Sequence, residues 1–151
     1  MQCSIAKALD VVGDPWTMLI VRDALLGVTR FEDLFTRLGV PRATLAARLD
    51  HLCATGVLER RRYQDRPPRD EYVLTDKGRA LRPVVLTLMR WGDEWIRDDE
   101  PPTHLVDEAT GARIDPVLVD RATGTPLEDL HVRAVGRVTD GITERNTHRA
   151  L

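Results

Sequence analysis

Two helical apolar stripes, separated by a glycine and a proline and followed at once by an arginine-rich strand, limit what this chain can fold into more than any other feature. Phe31, Leu34, Phe35 and Leu38 recur three and four residues apart, which predicts a helix from Arg30 or Phe31 to about Leu38 with Glu32, Asp33, Thr36 and Arg37 facing out. Gly39 stands where a left-handed residue is wanted between two helices. Pro41 starts the next helix, to about Ala54, at a position where its missing N–H costs nothing. Leu45, Leu49 and Leu52 form the buried stripe of that helix. The opposite face carries Ala43, Thr44, Ala47 and His51, flanked by Arg42 and Arg48.

Gly56 stops this helix. Val57 to Tyr63 reads as a strand, Gln64 to Arg69 as a polar turn holding Pro67 and Pro68, and Asp70 to Leu74 as a returning strand with Tyr72 and Leu74 on one face. The order is that of a helix-turn-helix followed by a β-hairpin wing. Small residues with a few donors suit a helix that must approach base edges closely. Alanine is also the best helix former, so the face alone is compatible with an ordinary solvated surface. The hairpin tips the balance. Arg60, Arg61, Arg62, Arg66 and Arg69 gather on and around it, and guanidinium groups on a protruding ribbon can reach phosphates or a narrow minor groove.

The charge distribution agrees. The chain as a whole carries −2, yet between Arg30 and Arg69 nine Arg oppose five Asp or Glu, and from Asp98 onward eleven acids oppose six Arg. A basic patch on an acidic molecule can hold phosphate while the remainder limits indiscriminate sticking. Recognition-helix contacts are therefore expected from Arg42, Ala43, Thr44, Ala47, Arg48 and His51. Wing contacts are expected from Arg60, Arg62, Arg66 and Arg69, and the partner is double-stranded operator DNA.

Around this unit, Ile5, Ala8, Leu9 and Val12 predict a first amphipathic helix broken by Gly13-Asp14-Pro15. Asp14 can cap a second helix over about 16–26, in which Trp16 reads as a core anchor. Thr75 is the expected N-cap of a long helix running to about Ile96, with Pro83 either tolerated or marking a short break. Leu81, Val85, Leu88, Trp91 and Trp95 give that helix an apolar seam of roughly coiled-coil spacing. With Ile5 and Leu9, this seam is the expected homodimer interface, because such proteins read two half-sites through a two-fold axis. Burial within one chain is the competing account.

Residues 98–102 form a polar linker. Beyond it Val106-Asp107-Glu108-Ala109-Thr110-Gly111 recurs thirteen residues on as Val119-Asp120-Arg121-Ala122-Thr123-Gly124. Each copy reads as a strand entering a Gly-bearing turn, so a small β appendage is expected over 103–135 and a flexible tail over 136–151. The expected domains are thus 1–97, the linker, the appendage and the tail, in an α+β, mainly helical winged helix-turn-helix. No apolar run approaches the ~20 residues of a membrane span, and a cytoplasmic protein is expected. No nucleophile elbow, phosphate loop or metal spacing is present, so neither an enzyme nor a cofactor is expected. The alternative function is a winged-helix protein-interaction module, against which the concentration of Arg on one hairpin argues.

Residues 3 to about 95 resemble the HxlR-type winged helix-turn-helix family, related to the MarR group. The matching pieces are C-S-I-A-x-x-L-x-x-V-G-x-x-W-T, R-F-x-D-L, G-V-P-R-x-x-L-x-x-R-L, G-V-L-E-R-R and P-P-R-x-E-Y-x-L-T-x-K-G, in that order. The resemblance implies a homodimeric bacterial transcription factor, more often a repressor, open to a small-molecule or electrophile effector. It also makes Cys3 a candidate redox sensor, since some members sense oxidants through a cysteine near the N-terminus. Cys53, beside the buried stripe, reads as structural. The appendage resembles an extension in longer members where paired C-x-x-C-G knuckles suggest a zinc ribbon. The corresponding positions here are Asp107, Thr110, Asp120 and Thr123, a poor soft-metal set, so a metal-free remnant is expected.

Overall fold

The computed structural model describes residues 3–133. Four helices come first: α1 (Ser4–Val12), α2 (Pro15–Leu25), α3 (Phe31–Leu38) and α4 (Arg42–Ala54). A hairpin of β1 (Leu58–Asp65) and β2 (Pro68–Leu74) follows, then the short α5 (Asp76–Arg79) and α6 (Arg82–Trp95). The local signals act as expected. The Asp14 carboxylate accepts from the Trp16 N–H at 3.0 Å with Pro15 opening the helix, and Gly39 takes φ 62° between α3 and α4. Pro83 sits in the first turn of α6, and the single helix expected from Thr75 is split there into α5 and α6, because proline cannot donate to the turn before it.

The core lies between α2, α3, α4 and the base of the hairpin. Ile20, Val21, Leu34, Val40, Leu45, Leu49, Leu52, Val57 and Leu58 are almost wholly buried, and Tyr72 and Leu74 close it from β2. Trp16 is half-buried against this cluster. One charge is buried with it: the Asp23 carboxylate is paired with Arg22 at 2.9 Å and Arg37 at 3.2 Å, which ties α2 to α3.

The hairpin is longer and its tip tighter than the sequence suggests. Register runs from Leu58 opposite Leu74 to Asp65 opposite Pro68, leaving only Arg66 and Pro67 in the turn, joined by a cis peptide. The Gln64 side-chain amide closes the tip by donating to the carbonyls of Arg66 and Pro67. Pro68 is tolerated because it opens β2, where no ladder donor is needed. The register shifts between Arg62 and Gln64, so Tyr63 occupies a bulge. A further pairing has no signature in the sequence. Tyr72 N–H donates to the Thr29 carbonyl at 2.7 Å, and Arg30 bridges Glu71, so β2 is held to the entry of α3.

By contacts the chain divides into two units, one up to Arg90 and one from Trp91. The division falls inside α6 and not in the expected linker at 98–102. Of the α6 side chains, Val85 packs against the N-terminal core, as does Leu81 just before the helix. In the second unit β3 (Leu105–Val106) pairs antiparallel with β4 (Arg113–Ile114), and Val119 bridges Pro126 ahead of a 3-10 turn at Leu127–Asp129. The thirteen-residue repeat builds one turn twice. Asp107 Oδ1 accepts from the amides of Ala109 and Thr110, and Asp120 Oδ2 accepts from the Thr123 amide and hydroxyl. Gly111 and Gly124 each donate back to the aspartate carbonyl at 2.8 Å with a positive φ. Among the described residues no group of three or more His, Cys, Asp or Glu could hold a metal. The expected end of the appendage at 134–135 and the tail at 136–151 lie outside the described residues.

Candidate nucleic-acid interface

The α3–α4 pair and the hairpin bring the expected reading residues to one unit, but they do not leave all of them free. On α4 the exposed positions are Arg42, Ala43, Ala47, Asp50 and Ala54, and Thr44 is half-exposed. Apart from Arg42, these outer positions are small or acidic. His51 differs from expectation: its Nε2 lies 3.0 Å from the Val11 carbonyl, so the ring is turned toward the end of α1. Arg48 is likewise held from within, by the Asp14 carboxylate at 3.0 Å, and its Nε is buried. The expected outer face is corrected accordingly. His51 and Arg48 join the recognition-type helix to the end of α1 and the start of α2, through the Val11 carbonyl and the Asp14 carboxylate.

Arg42 lies at the start of α4 with its guanidinium 4.3 Å from the Phe35 ring centroid and 5.6 Å from that of Phe31. Glu32 grips it in a fork at 2.8 and 2.6 Å. This hydrogen bonding lowers the Glu32 pKa and raises that of Arg42. Both side chains are solvent-exposed, so the fork is screened by water.

The hairpin arginines sort into two groups. Arg60 pairs with Asp50 at 2.9 Å and donates to the Tyr72 hydroxyl at 3.1 Å; Arg61 pairs with Glu59, and Arg62 with Asp70. All three guanidinium pKa values are raised, Arg60 chiefly by Tyr72, the others by hydrogen bonds to their carboxylates. Arg66 and Arg69, at and beside the tip, are exposed and make no side-chain hydrogen bond or ion pair among the described residues. Sequence reasoning missed Arg30. Its guanidinium stacks 4.6 Å over the Tyr63 ring and has no carboxylate partner among the described residues. The only sequence signal was an aromatic residue in an otherwise polar run of β1.

Apolar side chains remain uncovered elsewhere. On α1 Ile5 and Leu9 are exposed, and on α6 Leu88 and Trp91 are each 53% exposed and Trp95 68%. Leu81 and Val85, expected in the same seam, are half-buried against their own core. Cys3 is exposed at the N-cap of α1, whereas burial pushes the Cys53 thiol pKa up. A cleft of about 380 Å³ lies between the end of α2 and β2, lined by Leu25, Thr29, Val73, Leu74 and Arg82 among others.

A helix-turn-helix with a projecting basic hairpin, in an α+β frame, defines the winged helix-turn-helix transcription factors. Within that class, residues 11–100 match the HxlR-like helix-turn-helix family, and the chain belongs to it. The HTH-type transcriptional regulator Rv3095 of Mycobacterium tuberculosis, itself uncharacterized, is 44% identical over 117 residues, covering 77% of this chain and 74% of that protein. YvaP of Bacillus subtilis, likewise an uncharacterized HTH-type transcriptional regulator, is 38% identical over 60% of this chain and 84% of that protein. Among solved structures, the redox regulator HypR in its oxidized form has a TM-score of 0.58 at 34% identity, over 64% of this chain and all of that one. The candidate transcription factor PA1607 reaches 0.77 at 39% identity, over 87% of this chain and 94% of that one. The chain is a transcriptional regulator with a helix-turn-helix domain. No described helix is long and apolar enough to cross a membrane.

Proposed function

We propose that the protein is a homodimeric repressor that binds operator DNA through the outer face of α4 and the tip of the β1–β2 hairpin. The observation that carries this reading is the pairing of a small-residue face on α4 with a tip whose Arg66 and Arg69 have no carboxylate partner among the described residues. Ala43 and Ala47 let the helix backbone sit deep in a major groove, where their methyl groups suit thymine, and Arg42 supplies a forked donor once Glu32 yields it. The tip arginines then meet flanking phosphates or the minor groove. The exposed side chains of α1 and α6 would join the two protomers. An effector that alters this joint would alter the spacing of the two α4 helices, and α1 is linked to α4 through His51 and Val11. Modification of exposed Cys3 is one such input, and the likeness to a redox regulator supports including it in the test.

The deciding experiment is a mobility shift on the DNA upstream of its own gene, with scrambled competitor and with and without an oxidant. Specific binding is expected, and Ala47→Glu should abolish it without unfolding the protein, because residue 47 is exposed. Retention of full affinity by Ala47→Glu would remove α4 as the reading element. Loss of binding on oxidation that Cys3→Ser prevents is the outcome expected for a thiol input.

A further inference from the structure

Around the hairpin, the cations without carboxylate partners among the described residues do not all come from its strands and turn. Arg66 sits in the turn and Arg69 opposite Gln64, and Tyr63 precedes Gln64 in the β1 bulge. Over the Tyr63 ring lies the guanidinium of Arg30, contributed from the N-cap of α3. The acid nearest in register to Arg30 is Glu71, its bridge partner, but that carboxylate accepts from the Thr29 hydroxyl at 3.0 Å. In the same unit Arg22, Arg37, Arg42, Arg48, Arg60, Arg61, Arg62 and Arg79 each hold a carboxylate. Among the described residues of that unit most arginines are thus neutralised internally, whereas Arg30, Arg66 and Arg69 around the hairpin, like Arg82 on α6, hold no carboxylate.

We infer that Arg30, stacked on Tyr63, is a phosphate-contacting residue that continues the wing's contact surface back to the first helix of the helix-turn-helix. The chemistry favours the DNA backbone over a base. A guanidinium held over the face of an aromatic ring, 4.6 Å from its centroid, keeps N–H donors free and has lost part of its rotamer freedom before binding, which suits bidentate capture of a phosphate. The N-terminus of the first helix belongs where that helix crosses the backbone. Tyr63 is a positioning residue: it lies in the bulge with its ring under the Arg30 guanidinium, which it orients. This inference rests on the DNA-binding reading above.

The test uses the full chain and two labelled duplexes, one from upstream of its own gene and one of scrambled sequence, titrated from about 50 to 200 mM salt. Arg30→Gln should weaken binding to both duplexes in parallel and make the salt slope shallower by about 0.9 for each Arg30 engaged. Tyr63→Leu should reproduce part of that loss, Tyr63→Phe should retain wild-type behaviour, and Tyr63→Leu combined with Arg30→Gln should be no worse than Arg30→Gln alone. Melting curves check that the variants fold; Arg30 is exposed, so its variant keeps the contest open even if Tyr63→Leu unfolds. An unchanged slope in Arg30→Gln, with Arg66→Ala and Arg69→Ala both weakened, overturns the Arg30 contact and leaves the wing reading intact. Unchanged binding in all three overturns the wing reading and this inference with it.

Discussion

Gly78 shows how one position can be fixed by packing alone. A Cβ built there would collide with the Val57 carbonyl oxygen and the Leu74 side chain, and its backbone N–H donates to the Thr75 hydroxyl at 3.2 Å. Backbone groups do not move aside as a flexible side chain does. Gly78→Ala should therefore cost roughly 1–3 kcal/mol, as overpacking of a closed site does, read as a lower urea midpoint at unchanged slope. A midpoint equal to wild type would mean that α5 can lift off the hairpin freely. The same scale shows what the sequence could not reveal. The pattern Thr75-x-Lys77-Gly78 advertises a cap, but the reason for glycine lies in Val57, twenty-one positions earlier. His51 was misplaced for a related reason: periodicity puts it near the outer face of α4, and only the packing of α1 turns its ring toward Val11.

Elements were easier to read than their ends. The spacing of Phe31 to Leu38 and Leu45 to Leu52 defines α3 and α4 because local periodicity and a glycine stop suffice. The Thr29–Tyr72 pairing depends on partners distant in sequence and left no local trace, whereas the tip is closed by near neighbours, Gln64 on Arg66 and Pro67, in a polar run that reads only as a longer turn. The two aspartate turns are self-contained and legible as a repeat, and they carry a pH dependence. Hydrogen bonds lower both carboxyl pKa values, first from the Thr110 amide at Asp107 and from the Thr123 hydroxyl at Asp120. A lowered folded-state pKa means stabilisation fully present above the ordinary aspartate pKa of about 3.8 and lost as pH falls through the lower folded value. Amide exchange of Thr110 and Thr123 should stay slow for exposed groups above about pH 4 and lose protection below it, relative to a reference loop amide. Asp107→Asn should remove that pH dependence at Thr110 alone; its persistence would assign the dependence to a titrating group other than Asp107, since the Gly111 backbone bond does not titrate.

For the whole molecule, the uncovered apolar side chains predict assembly. Single exposed hydrophobics are ordinary, but Leu88, Trp91 and Trp95 share one side of α6 at spacings of three and four. Sedimentation should show a dimer for the wild type. Trp91→Glu should shift it to monomer and weaken operator binding by at least tenfold, since each protomer would then read one half-site alone. A dimer that survives Trp91→Glu would move the interface off α6. The outer stripe of α4 has one further consequence under the proposed reading. A helix that offers the groove chiefly methyl groups and a single forked cation conveys few bits per base pair. Discrimination among genomic sites must then come from how readily the duplex narrows beneath the hairpin and from the fixed interval between half-sites. Such a regulator would tolerate many letter changes within a site and almost no insertion between its halves.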